Sequence, residues 1–124
     1  MFKQKKGKVI NISSINAQKG KTDGITYNGS KIVVYMFTRC LAAEWAPFNI
    51  NANATRPGEF YTKMSARIHE DPELKAKMMA HIPLGRVGDV REVGLLAVYL
   101  ASPASDFITG QTIFIEGGEL AFSP

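Results

Sequence analysis

Tyr27 and Lys31 stand four residues apart within YNGSK, so on a helix their side chains share one face and meet at a common point. A phenol, with an ordinary pKa near 10, is a poor acid-base group at neutral pH. A cation about 4–6 Å away favours the phenolate and lowers that pKa by roughly 1–3 units, so the pair has the composition of a proton donor with its activator. The spacing alone is not specific, since a core tyrosine followed one turn later by a solvated lysine reads the same way. Ser14 narrows the choice. It lies 13 residues before Tyr27, behind a β-branched run, and in an open α/β sheet ligands bind at the carboxyl ends of strands.

The elements that must position these residues follow from periodicity. KVINI, Lys8 to Ile12, is bounded by Gly7 and by Ser13 and Ser14 and suits a buried strand. Residues 15–26, rich in Gly, Asn, Asp, Thr and Lys, form a loop leading away from its carboxyl end. From Tyr27 to Trp45 the residues Val33, Val34, Phe37, Leu41, Ala42 and Trp45 recur at spacings of three and four, which predicts an amphipathic helix that Pro47 ends. Asn49 to Thr55 carries a weak alternating strand signal, cut off by Arg56, Pro57 and Gly58. Residues 60–80 read as two short helices broken at Asp71 and Pro72. Asp89 caps a helix over VREVGLLAVYLAS, whose apolar residues Val90, Val93, Leu95, Leu96 and Tyr99 cover a broad face. Gln111 to Ile115 is a last strand, ended by Gly117 and Gly118. This alternation predicts one domain over residues 1–124, an α/β fold with a parallel sheet of about three strands.

Composition excludes several classes of function. A hydrophobic fraction of 45% with 21% charged residues is that of a globular domain. The net charge of +4 comes from scattered basic residues, and only Lys3, Lys5, Lys6 and Lys8 cluster, ahead of a strand. That argues against nucleic acid as a partner. Cys40, the one cysteine, lies in an apolar helical pattern and reads as a small core residue. His69 and His81 lack a ligand-spaced partner, so no metal site is expected, and both read as solvated. Glu59, Glu70, Asp71 and Glu73 form no glycosidase-like pair. No apolar run reaches the length of a leader or a membrane span, so a cytoplasmic location without membrane association is expected.

KVINISS, YNGSK, NANATRPGEFYT and PLGRVGDVREVGLLAVYLASPASDFITGQTIFIEGG, taken together and in this order, resemble the second half of a short-chain dehydrogenase/reductase. The nearest likeness is to sugar-acid dehydrogenases and 3-oxoacyl reductases of that family. The resemblance implies part of a Rossmann-like doubly wound sheet, with NAD or NADP as cofactor and a ketone or secondary alcohol as substrate. By the same resemblance Ser14 would bond the substrate oxygen, Tyr27 would donate or accept its proton, and Lys31 would lower the tyrosine's pKa and hold the nicotinamide ribose. Pro57 and Gly58 would lie along the nicotinamide and Thr62 would reach its carboxamide. The segment from Tyr61 to His81 would cover the substrate.

Two positions depart from the family pattern. Gly29 replaces a usual alanine, at a helix-propensity cost of about 0.8–1.0 kcal/mol. Arg56 stands where a small residue usually precedes Pro-Gly, either crowding the nicotinamide or pointing into solvent. The family's opening βαβ unit, with its glycine-rich turn, would fall before Lys8, and no two glycines stand two apart anywhere in the sequence. The cofactor-binding first half is therefore expected to be missing, and the strand and helix edges it would cover predict a homo-oligomer or association with such a half. A second reading, from another class, is a non-catalytic remnant serving as an oligomerisation or partner-binding module.

Overall fold

The β-branched residues of KVINI form β1 (Gly7–Ile12), and the chain returns through α1 (Ile25–Trp45) to β2 (Ile50–Pro57). Two short helices, α2 (Ala66–Glu70) and α3 (Pro72–Met79), precede α4 (Val90–Ala101) and β3 (Thr112–Ile115). The computed structural model describes residues 1–19 and 22–121 of the chain. The three strands form one parallel sheet in the order β1-β2-β3, with Gly7 opposite Ile50 and Ala54 opposite Thr112. The α/β class and the parallel sheet expected from the sequence are both present.

β2 is the central strand, and its burial explains its composition. Ala52, Ala54 and Thr55 have no exposed surface and Asn53 has 1%. Leu41 and Ala42 of α1 pack with Ala52, flanked by Val9 and Trp45. The asparagines of the sheet act as cross-links. Asn53 Nδ2 donates to the Ile108 carbonyl at 2.8 Å while its Oδ1 accepts from the Gln111 amide at 3.0 Å, which fixes the entry to β3. Asn11 Nδ2 donates to Thr38 Oγ1 at 2.9 Å, joining β1 to α1. A buried amide with both ends bonded is tolerated where an unpaired one would be costly.

Several expectations need correction. β2 does not stop before Arg56; it continues through Pro57, which faces Ile115 in the register. Proline is accepted there because the pairing of β2 with β1 ends at Thr55, so no ladder amide is required of residue 57 on that side. Cys40 is exposed rather than core, because helix periodicity turns it away from the Thr38, Leu41 and Ala42 seam. The same rotation leaves Val33 and Phe37 of α1 exposed, as it leaves Val90, Leu95 and Tyr99 of α4. Apolar periodicity located both helices but overstated how much of each face this sheet covers. The loop expected over residues 15–26 holds a 3₁₀ turn at Ile15–Ala17, and α1 begins at Ile25; Gly20 and Lys21 lie outside the described residues.

Asp89 caps α4 as expected, within a fuller motif. Its side chain accepts from the Arg91 amide at 2.8 Å, and Glu92 reaches back to the Asp89 amide, also at 2.8 Å, completing a capping box. Arg86 grips Glu92 with two parallel hydrogen bonds of 2.7 and 3.0 Å. The Arg86 bond, followed by that from the Asp89 amide, holds the Glu92 carboxyl at about 2, below its ordinary 4.5. A carboxyl depressed on folding contributes stability that is complete above its unfolded value and fades as pH falls through its folded value. Stability should therefore decline between about pH 4.5 and 2 with a component from Glu92. Urea titrations should show that component reduced in Glu92→Gln; an unaltered pH dependence would remove Glu92 from the account.

Candidate active site

The end of β1 is fastened to α1 at Lys31 itself. Ser13, 3% exposed, donates from its Oγ to the Lys31 carbonyl at 2.8 Å, and its amide donates to the Thr55 carbonyl at 2.8 Å. Lys31 Nζ reaches back to the Ile12 carbonyl at 3.1 Å and lies 5.6 Å from the centre of the Tyr27 ring. The structure thus brings Tyr27 and Lys31 together at the carboxyl end of β1. Ser14, two residues beyond Ile12 and 7% exposed, caps the 3₁₀ turn, its Oγ accepting from the Asn16 amide at 3.2 Å. Ser14 Oγ keeps its own proton and a second lone pair for a ligand. The Tyr27 side chain is 40% exposed, and its hydroxyl makes no hydrogen bond among the described residues.

The loop between Ser14 and Tyr27 is tied from both sides. Asn28 Nδ2 donates to the Lys19 carbonyl at 2.9 Å, and Lys19 forms an ion pair with Glu119, whose side chain is 10% exposed. Sequence reasoning singled out neither residue, because a pairing across a hundred positions leaves no local periodicity. Ser13 was visible only as a strand-end cap; its neighbour's polar role gave no sign that it would hold the helix.

Pro57 and Gly58 end β2, on the strand beside β1, and the Gly58 amide donates to the Ile115 carbonyl at 2.9 Å. A Cβ on Gly58 would fall 2.7 Å from that of Glu116, so the approach of this turn to the end of β3 requires glycine. Thr62 lies farther along the loop and is exposed. Its amide donates to Ser65 Oγ at 2.9 Å and the two hydroxyls lie 3.1 Å apart. No hydrogen bond joins Pro57, Gly58 or Thr62 to Tyr27 or Lys31 among the described residues. Gly29, two residues from both Tyr27 and Lys31, faces open space and could carry a Cβ.

Arg56 does not point into solvent. It is 5% exposed, with its guanidinium 4.8 Å from the Tyr35 ring centre and 5.3 Å from that of Phe114. Burial pushes its pKa below the ordinary arginine value, with Tyr35 acting the other way; an arginine still remains charged at neutral pH. The strand register places Arg56 opposite Phe114, a neighbour invisible from either segment alone. His69 is half-buried with Nε2 unpartnered and its ring against Tyr61, so it is not solvated as expected, whereas His81 is exposed. Glu116 accepts from the Leu120 amide at 2.9 Å, a structural role. Among the described residues no group of three or more His, Cys, Asp or Glu could hold a metal ion, and no helix is long and apolar enough to cross a membrane.

The model of a family described as enoyl-(acyl carrier protein) reductase matches residues 1–119. The 5-keto-D-gluconate 5-reductase of Escherichia coli K12 is 40% identical over 120 residues, which are 97% of this chain and 47% of that protein. The 3-oxoacyl-[acyl-carrier-protein] reductase of Aquifex aeolicus is 39% identical over 118 residues, 95% of this chain and 47% of the relative. The chain belongs to the short-chain dehydrogenase/reductase family. A crystal structure of a gluconate 5-dehydrogenase from Burkholderia cenocepacia J2315, in complex with NADP and tartrate, superposes with a TM-score of 0.94 at 34% identity. It is covered over 48% of its length, by 98% of this chain. This short-chain dehydrogenase/reductase chain therefore spans about half the length of the relatives it matches.

Within that half, the residues present fit the nicotinamide end of a dinucleotide. Lys31 spends one of its three ammonium donors on the Ile12 carbonyl, leaving two for a ligand, and the Tyr27 hydroxyl makes no hydrogen bond among the described residues. The phosphate end has no counterpart in these residues, since no glycine-rich turn with the required spacing occurs in the sequence.

Proposed function

We propose that this chain carries the proton-handling half of an NAD(P)-dependent oxidoreductase that interconverts a ketone and a secondary alcohol, with Tyr27 as the acid/base. The observation that carries the reading is the meeting of Tyr27 and Lys31 at the carboxyl end of β1, with the Tyr27 hydroxyl unspent. In the reduction, Ser14 Oγ–H donates to the ketone oxygen and orients it. Tyr27 gives its proton to that oxygen as charge develops there, and the Lys31 ammonium stabilises the phenolate left behind. A bound nicotinamide supplies or accepts the hydride. Tyr27 and Lys31 would hold its ribose, while Pro57, Gly58 and Thr62 would border the ring. The relatives' names point to sugar acids or 3-oxoacyl groups as the substrate class, and the NADP held in the Burkholderia structure supports a nicotinamide dinucleotide as the cofactor.

The partner completing the fold is a glycine-rich first half, joined in the same chain or supplied by another. The exposed apolar residues Val33, Met36 and Phe37 of α1 and Leu95 and Val98 of α4 favour association of this chain with such a segment or with its own copies. Lys31→Met in the completed enzyme tests the reading. Loss of the cation removes the 1–3 unit advantage it can give a phenol, so turnover at neutral pH should fall by about 10–10³-fold, with weaker cofactor binding besides. Unchanged turnover and cofactor affinity would show that Lys31 has no part in the chemistry.

A further inference from the structure

Arg56 is the only charged residue exposed over less than a tenth of its surface among the described residues. No carboxylate pairs with it there: the ion pairs present join Lys8 to Asp106, Lys19 to Glu119, Lys77 to Glu73 and Arg86 to Glu92. Its Nη1 donates to Gln18 Oε1 at 3.3 Å, and its Nε is buried without a partner. Stacking on Tyr35 and Phe114 offsets part of the desolvation, but a buried cation without a counter-charge is costly and calls for an anion.

The surroundings repeat that demand. Arg56 lines an open cleft between α1 and β3, together with Gln18, Tyr35, Arg39, Thr112 and Phe114, and among the described residues no acidic side chain lines it. Arg39 packs on the same Tyr35 ring, 5.7 Å from its centre, and donates to the Tyr35 hydroxyl at 3.1 Å. Two guanidinium groups thus flank one ring. Thr112, another residue of the wall, keeps its Oγ1 buried with no hydrogen-bond partner among the described residues. Ser14, Tyr27 and Lys31 do not line this cleft, so it stands apart from the candidate catalytic residues and does not depend on their role.

We propose that the cleft is a binding site for a small organic carboxylate, held by Arg56 and Arg39. The planar guanidinium fork matches a carboxylate in two parallel bonds, which a spherical halide cannot form. The ligand would provide the counter-charge that the fold withholds from Arg56.

Isothermal titration of the 124-residue chain with succinate, at fixed ionic strength, tests the site. Saturable binding is expected, with no matching response to chloride, and Arg39→Gln and Arg56→Met should each weaken it at least tenfold. Arg39 is exposed, so its variant keeps the fold and decides the matter if Arg56→Met does not fold. Absence of saturable binding, an equal response to chloride, or unchanged affinity in Arg39→Gln would overturn the proposal.

Discussion

Replacing Tyr27 with phenylalanine, in the chain completed by a glycine-rich first half, should lower ketone reduction by at least the roughly 10²–10⁴-fold that a positioned general acid contributes. The substitution removes one oxygen from a side chain that is already 40% exposed, and that oxygen bonds nothing else among the described residues. Packing therefore stays as it was, and thermal unfolding should be unaltered. Cofactor affinity should change far less than turnover, since Lys31 keeps its ammonium at the end of β1. Steady-state kinetics with matched unfolding curves separate the two effects. A Tyr27→Phe enzyme with undiminished turnover would mean that another group supplies the proton.

The 124-residue chain by itself should bind NADPH no more tightly than about the millimolar range. A dinucleotide draws much of its binding energy from its pyrophosphate, seated on a helix N-terminus behind a glycine-rich turn. That turn is absent from this sequence. Its absence leaves only the ribose contacts proposed for Tyr27 and Lys31, and a millimolar ligand corresponds to only about 4 kcal/mol. Titration calorimetry giving micromolar affinity for the chain alone would contradict this and would require a phosphate seat elsewhere in the fold.

Local chemistry made much of the molecule legible. The strand of KVINI, the helix over Tyr27 to Trp45, the cap at Asp89 and the two short helices around Asp71 and Pro72 each rest on signals within a few residues, and each is present. Tyr27 and Lys31 meet because a four-residue helical spacing is itself a geometric statement. What escaped depends on residues far apart in the chain. Whether Cys40, Val33 or Val90 is covered depends on the width of the sheet, which periodicity does not encode. The burial of Arg56 depends on the register that sets it beside Phe114. The fastening of Ser13 to Lys31 and of Lys19 to Glu119 depends on tertiary folding alone. Asn53 shows the converse: a polar residue within a segment of weak strand signal is bonded through both ends of its side-chain amide in the most buried strand.

The central claim is that this half of the fold holds the groups that move the proton. It is tested most directly by joining the chain in frame behind the first half of the Escherichia coli 5-keto-D-gluconate 5-reductase, a relative 40% identical over the shared region, and following ketone-dependent oxidation of NADPH. The account predicts turnover in which one NADPH is consumed per alcohol formed. A chimera that folds and binds NADPH, yet oxidises none of it across a panel of sugar-acid and 3-oxoacyl ketones, would contradict the account.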